Sequence, residues 1–349
     1  MCLLRALSGY DDVELVLFSR EGPFSRHLEG IRAKIVTFEA RRESLWNDWL
    51  LPRMIEREGV EVFHAPADRG LPIRKPCPMV VTVHASYERA HWRSLFPTAK
   101  RKVWYWKHEI ANYWLADAVL TVSESTRNEL IGMRAAPKHK LHRIYLGPSA
   151  EFHDRTCDSD GRVLKNHGIP RRFVLYVGGY DPWKNVSSLV QAFDRANLPE
   201  HALVIVAQKV REYTRLVQGW AKYECFPRLR LVEAEPEEIP AFYRGAELFV
   251  NPSLWESFSF QLVEAMACGT PILASNRKAI PEIAGDAALF FDPEDVEELA
   301  RLMEDTVGDS ALRHELRKKG LERVKAFSWK HTAEQTVRIY YAVVGRSAG

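Results

Sequence analysis

The chain has 349 residues, of which 46% are hydrophobic and 27% charged, and its formal net charge is +3. That length exceeds one ordinary domain and suits two of about 150 to 180 residues, with a composition unlike that of disordered or fibrous chains. No apolar run approaches the roughly 20 residues that cross a bilayer, and five scattered cysteines, at positions 2, 77, 157, 225 and 268, show no ligand spacing and suggest neither a disulfide framework nor a zinc site.

Taken in order, apolar runs with β-branched residues alternate with amphipathic stretches, the pattern of parallel sheets covered by helices. In the first half strands are expected at 13–18, 34–38, 61–65, 79–84, 118–122 and 142–146. This half is also the basic one: residues 1–150 hold 23 Lys and Arg against 17 Asp and Glu, a balance of +6, and the remainder hold 26 against 29, a balance of −3. The excess gathers at Lys100, Arg101, Lys102 and Lys107, interleaved with Trp104, Tyr105 and Trp106. Such a stretch either lies on an anionic membrane surface or buries its aromatic stripe in the core with its lysines in water; both readings stay open. It lacks any motif that reads nucleic acid, so no nucleic-acid partner is expected.

A polar stretch, DRTCDSDGRVLKNHG (154–168), follows as linker and first helix of the second half. A second strand series is expected at 173–178, 203–207, 229–233, 248–251, 271–275 and 288–291, giving two separate parallel sheets. The last 40 residues read as helices, the final one opening on Ser328 as N-cap. The expected divisions are 1–153, a linker 154–168, 169–326, and a terminal helix 327–349.

The segment ESFSFQLVEAMACGTP (256–271) carries the chemistry. Glu256 and Glu264 stand eight residues apart where an extended run gives way to a helical pattern, so one carboxylate falls in a loop and the other inside the helix. A strand, a small-residue turn and a helix start make an anion site, because first-turn amides lack intrahelical partners and the dipole is positive there. The amides of Ser257, Phe258, Ser259 and Phe260 could hold a phosphate. Two carboxylates beside them cannot, and point instead to hydroxyl partners, a ribose and a sugar. His84 closes the strand at 79–84, at the carboxyl end where open α/β sheets bind ligands; His64 and Pro66 form a second strand-end loop, and Ser123 is either an N-cap or a ligand contact.

These residues resemble the Glu-x7-Glu signature of retaining GT-B glycosyltransferases of family 4. Matching blocks occur in order at YVGGYDPWKN (176–185), YRGAELFVNPS (243–253), IPEIAGDAALFFDPED (280–295) and FSW (327–329), so the resemblance takes in nearly the whole chain. It implies an α/β GT-B fold of two Rossmann-like, doubly wound parallel-sheet domains facing a central cleft, with the terminal helix crossing back to the first domain. It implies a donor that is a nucleoside-diphosphate sugar, GDP-mannose or a UDP-sugar, and an acceptor that is a glycan or lipid-linked. Lys184 would contact the diphosphate together with the amides of Gly178 and Gly179, Glu264 the ribose, Glu256 the transferred sugar, and His84 the donor sugar or reacting centre. Mannose is the expected hexose, on the likeness of YVGGYDPWKN and NPSLWESFSF to the mannosyltransferase branch. No cofactor and no metal are expected, since no Asp-x-Asp cluster is present, and the reaction would run by front-face substitution. The expected location is the cytoplasm, with a peripheral contact at the inner membrane face through the Lys100 to Lys107 cluster.

Three departures from the family pattern stand out. Gly179 occupies a position where many relatives carry arginine, and Ser257 and Ser259 replace the two glycines common between the acids. The chain opens on CLLRALSGYDD, which resembles the end of a first helix, so the central first strand and its glycine loop are missing and the functional protein is expected to begin upstream of Met1. These departures support a second function, a catalytically weak GT-B relative serving as glycan-binding or scaffold partner; nucleotide-sugar epimerisation is a third.

Overall fold

The computed structural model describes residues 1–20, 28, 30–38, 46–68, 70–84, 98, 110–208 and 214–346. The chain forms two compact units, Met1–Leu146 with Ser328–Gly349, and Gly147–Phe327.

The second unit is a six-stranded, wholly parallel sheet. Its strands are β7 (Phe173–Val177), β8 (Ala202–Val206), β9 (Leu229–Val232), β10 (Leu248–Asn251), β11 (Ile272–Ser275) and β12 (Leu289–Phe291), in the spatial order β12-β11-β10-β7-β8-β9. Every residue of β8, β10 and β11 is buried, as expected of parallel strands covered on both faces, which therefore read as unbroken apolar runs. On one face the helices Val186–Arg195 and Val296–Gly308 supply Leu189, Phe193, Leu299 and Met303 to a core that includes Val174, Leu203 and Val250. The segment 154–168 belongs to this unit: its helix Asp160–Asn166 is held by Arg244, whose Nε and Nη2 donate to the two Asp160 carboxylate oxygens at 2.7 and 2.6 Å.

The first unit departs from the single sheet expected for it. β3 (Phe63–Ala65), β4 (Met79–Val83), β5 (Ala118–Thr121) and β6 (Leu141–Arg143) form one parallel sheet in that order, while β1 (Leu15–Arg20) and β2 (Ala33–Phe38) pair only with each other. Among the described residues no strand joins the two sheets. Phe18 and Phe63 reach each other instead, rings edge to face with centroids 6.4 Å apart. The terminal helix Trp329–Val343 packs in this unit, capped by Ser328 Oγ accepting from the His331 amide. Its Ala333 and Val337 bury Leu7 of the opening helix, and its Ile339, Tyr340 and Val343 cover Val80 and Leu120 of the four-stranded sheet.

Among the described residues no helix is long and apolar enough to cross a membrane. Residues 99–109, which hold the basic and aromatic cluster, lie outside the described residues.

Candidate active site

Strand order in the second unit brings two loops together. The first strand of the unit, β7, lies beside β10, and the chain winds away from that pair in opposite directions, the kind of switch point at which open α/β sheets bind ligands.

The loop after β7 is shaped by glycine. Gly178 sits at φ +151°, its amide donating to the Val206 carbonyl at 3.0 Å, and a Cβ there would come within 2.8 Å of the Tyr176 hydroxyl oxygen. That hydroxyl donates to the Gly179 carbonyl at 2.7 Å, which turns the carbonyl toward the tyrosine. A short 3-10 turn, Pro182–Lys184, then carries the lysine. Asn185, left-handed at φ +55°, starts the next helix and ties it down through Nδ2 to the Pro293 carbonyl at 2.8 Å.

The loop after β10 is stitched to the first one by the Leu254 amide, which donates to the Trp183 carbonyl at 2.8 Å. Here the two sequence-predicted groups meet: Lys184 Nζ donates to Glu256 Oε1 at 2.6 Å, with side chains only 16% and 12% exposed. Ser253 Oγ donates to the same carboxylate oxygen at 2.9 Å. Charges so far out of water need partners, and each supplies the other's. Glu264 lies in the second turn of the helix Phe260–Cys268, half-buried, and its Oε2 accepts from the fully buried Tyr243 hydroxyl at 3.0 Å. Burial pushes the Glu264 carboxyl up to about 7, with the tyrosine hydrogen bond pulling the other way.

Between the acids, Ser257 is half-buried and Phe258 is buried, its ring packed against Phe260 and Phe327 at 5.3 and 5.9 Å. The phenylalanine ring is core, so its backbone is what it can offer a ligand. Ser259 is buried and left-handed at φ +69°.

The remaining candidates belong to the first unit. His84 follows β4, its amide donating to Asp68 Oδ1 at 2.7 Å and its Nε2 lying 3.0 Å from the Pro66 carbonyl, an acceptor that fixes the proton on Nε2. His64 is occupied elsewhere: Nδ1 meets Tyr340 Oη at 2.6 Å and Nε2 meets Thr82 Oγ1 at 2.7 Å, joining the terminal helix to the sheet. Burial, with His84 nearby, lowers its pKa to about 4 and keeps it neutral. Ser123 is fully buried and caps the helix Glu124–Gly132, its Oγ accepting from the Thr126 amide at 3.0 Å.

Sequence reasoning missed Tyr243, Ser253 and Asn251. Tyr243 had a signal: a tyrosine inside a buried apolar stretch needs a partner for its hydroxyl, and a buried glutamate needs a donor.

Comparison with known proteins accords with this geometry. The family model described as "Glycosyltransferase Family 4" matches residues 3–152, and that described as "Glycosyl transferases group 1" matches residues 163–323. O-antigen chain mannosyltransferase B of Escherichia coli is 30% identical over 239 residues, 64% of this chain and 60% of its own length, so the chain spans about three fifths of that relative. Among solved structures, a glycosyltransferase from Rickettsia africae superposes with a TM-score of 0.77 at 14% identity, over 97% of this chain and 100% of that one. Anabaena HepE in complex with UDP-glucose superposes with a TM-score of 0.76 at 16% identity, over 98% and 95%. At such identities the likeness is one of fold. Matched in both halves by glycosyltransferase family models, and sharing its architecture with solved glycosyltransferases, the chain belongs to glycosyltransferase family 4 and has the GT-B fold.

Proposed function

We propose that the protein is a retaining glycosyltransferase that moves a hexose, mannose by its likeness to the E. coli mannosyltransferase, from a nucleoside-diphosphate sugar to a glycan or lipid-linked acceptor. The observation that carries this reading is the meeting of Lys184 and Glu256 across the β7 and β10 loops, beside the start of the helix bearing Glu264. The cation and helix-start amides suit a diphosphate, Glu264 a pair of ribose hydroxyls, and Glu256 the hydroxyls of the transferred sugar. The UDP-glucose bound to HepE, a protein of the same fold, agrees with a nucleotide-sugar donor.

In the front-face route the bond from the anomeric carbon to the diphosphate oxygen breaks, and the acceptor oxygen bonds to that carbon on the same face. The acceptor proton passes to an oxygen of the departing diphosphate. Lys184 and the amides at Gly178, Gly179 and the helix start stabilise the charge that gathers there, while Glu256 and Glu264 orient the donor. His84 of the first unit is assigned to the donor sugar or reacting centre, and no metal is required. A peripheral membrane contact through the basic, aromatic cluster would suit a lipid-linked acceptor.

The test is donor hydrolysis. With GDP-mannose and a UDP-hexose panel, the wild type should release nucleoside diphosphate slowly from one donor, and Lys184→Ala and Glu264→Ala should abolish release. Binding without any turnover, with acceptor glycans supplied, would favour the scaffold function.

A further inference from the structure

Glu264 is held at one oxygen by a side chain locked in the core. Tyr243, in the helix Ile239–Gly245, is wholly buried and fixed at three points: its carbonyl accepts from Thr270 Oγ1 at 2.7 Å, and its ring meets those of Phe249 and Phe152 edge to face, with centroids 5.3 and 5.9 Å apart. The phenol oxygen so placed lies 3.0 Å from Glu264 Oε2, to which it donates. The other oxygen, Oε1, has no hydrogen-bond partner among the described residues, and in a half-buried side chain it is the one left for solvent or a ligand. A carboxylate offers about four lone-pair sites. The tyrosine takes one and restrains the direction of the rest.

We propose that Tyr243 is a positioning residue of the donor site: its hydroxyl anchors Oε2 so that the remaining acceptor sites of Glu264 keep one orientation, matched to the two adjacent hydroxyls of a ribose. Without the anchor the carboxylate turns about its terminal torsion, whose intrinsic preference is broad, and two hydroxyl contacts lose their common geometry. The hydroxyl also favours the charged acid, through a hydrogen bond that opposes the effect of burial. Tyr243 and Cys268, the titratable groups beside the acid, both stay protonated, because burial holds the phenol well above its ordinary value and pushes the thiol up to about 12. The ribose contact rests on the donor-site reading above; the anchoring of Glu264 does not.

The experiment compares wild type with Tyr243→Phe, which removes one oxygen atom, and repeats both in a Glu264→Gln background. Calorimetric titration at pH 8 with GDP, UDP and their 2′-deoxy counterparts should show wild type preferring the ribonucleotide about tenfold (about 1.4 kcal/mol) and Tyr243→Phe preferring it by about threefold or less. With Glu264→Gln present, the tyrosine should make no difference to that ratio. A merely structural tyrosine would weaken both kinds of nucleotide alike, and a ratio unchanged from wild type would overturn the proposal. Melting curves without ligand give a second reading, each taken from pH 5 upward against the same protein carrying Glu264→Gln; at the lowest pH the acid is protonated and demands no partner for a charge, so the variant folds there. The acid's contribution to stability is present below its unfolded value and lost as pH rises through its folded value. The wild-type difference should therefore level off near pH 7, and that of Tyr243→Phe about one pH unit higher. Levelling at the same pH would overturn the anchoring. Should the wild type bind neither nucleotide, the donor-site reading fails by itself, and the melting curves still decide whether the tyrosine holds the acid.

Discussion

Replacing Glu264 by glutamine probes the most unusual electrostatic feature of the site. Burial lifts its carboxyl from the ordinary 4.5 to about 7, so the folded state prefers the protonated acid more than the unfolded chain does. The sign follows: the contribution to stability is fully present below the unfolded value and is lost as pH rises through about 7. At about 1.4 kcal/mol per pH unit, wild type should lose about 2 to 3 kcal/mol between pH 5 and pH 8 that Glu264→Gln keeps. For the unit Gly147–Phe327, which holds Glu264, that is about 5 to 10 °C of melting temperature. On the proposed contact between Glu264 and the ribose, the ligand should respond in the opposite sense, because hydroxyls donate to the ionised form. The ionised fraction rises from about one tenth at pH 6 to nine tenths at pH 8, so nucleoside-diphosphate affinity should rise about tenfold over that range in wild type and stay nearly flat in the glutamine variant. Melting curves at pH 5, 6, 7 and 8, with calorimetric titrations at the two ends, measure both. Parallel pH profiles for wild type and variant would refute the reasoning.

Two further substitutions separate site from scaffold. Gly178→Ala would drive a Cβ to 2.8 Å from the Tyr176 hydroxyl at a backbone angle of +151°; it should cost about 1 to 3 kcal/mol in stability and weaken nucleotide binding, measured by denaturant unfolding and titration. Tyr340→Phe leaves His64 Nδ1 without its 2.6 Å partner; it should lower stability by about 1 to 3 kcal/mol while nucleotide affinity stays within twofold of wild type, and a large affinity loss would contradict the structural role given to His64.

Much of the architecture was legible because parallel strands covered on both faces leave short apolar runs between amphipathic stretches. All twelve strands fall within a few residues of their expected positions, and β10 falls where expected, at Leu248–Asn251. The pairing of strands was less legible. Nothing local in the sequence divides β1 and β2 from the other strands of the first unit; that follows from which edges find partners. In the site, Lys184, Glu256 and Glu264 were visible as residue types at the right spacing beside strand ends. Their mutual arrangement was not, since the Lys184–Glu256 pair spans 72 residues and exists because β7 and β10 are neighbours in the sheet. The serine at 259 read as the replacement of a glycine common in the family. The structure gives it positive φ and a hydrogen bond from the buried Asn251, which only contacts across the β10 loop reveal. Ser123, with two readings open, is a buried N-cap.

The most direct measurement is the dissociation constant of a nucleoside diphosphate for wild type and for Lys184→Ala, with melting curves to establish that the variant is folded. If the lysine leaves Glu256 to grip the diphosphate, the variant should bind at least tenfold more weakly (about 1.4 kcal/mol) and its affinity should depend less on salt. Equal affinities in two folded proteins would contradict a donor site at the β7 and β10 loops.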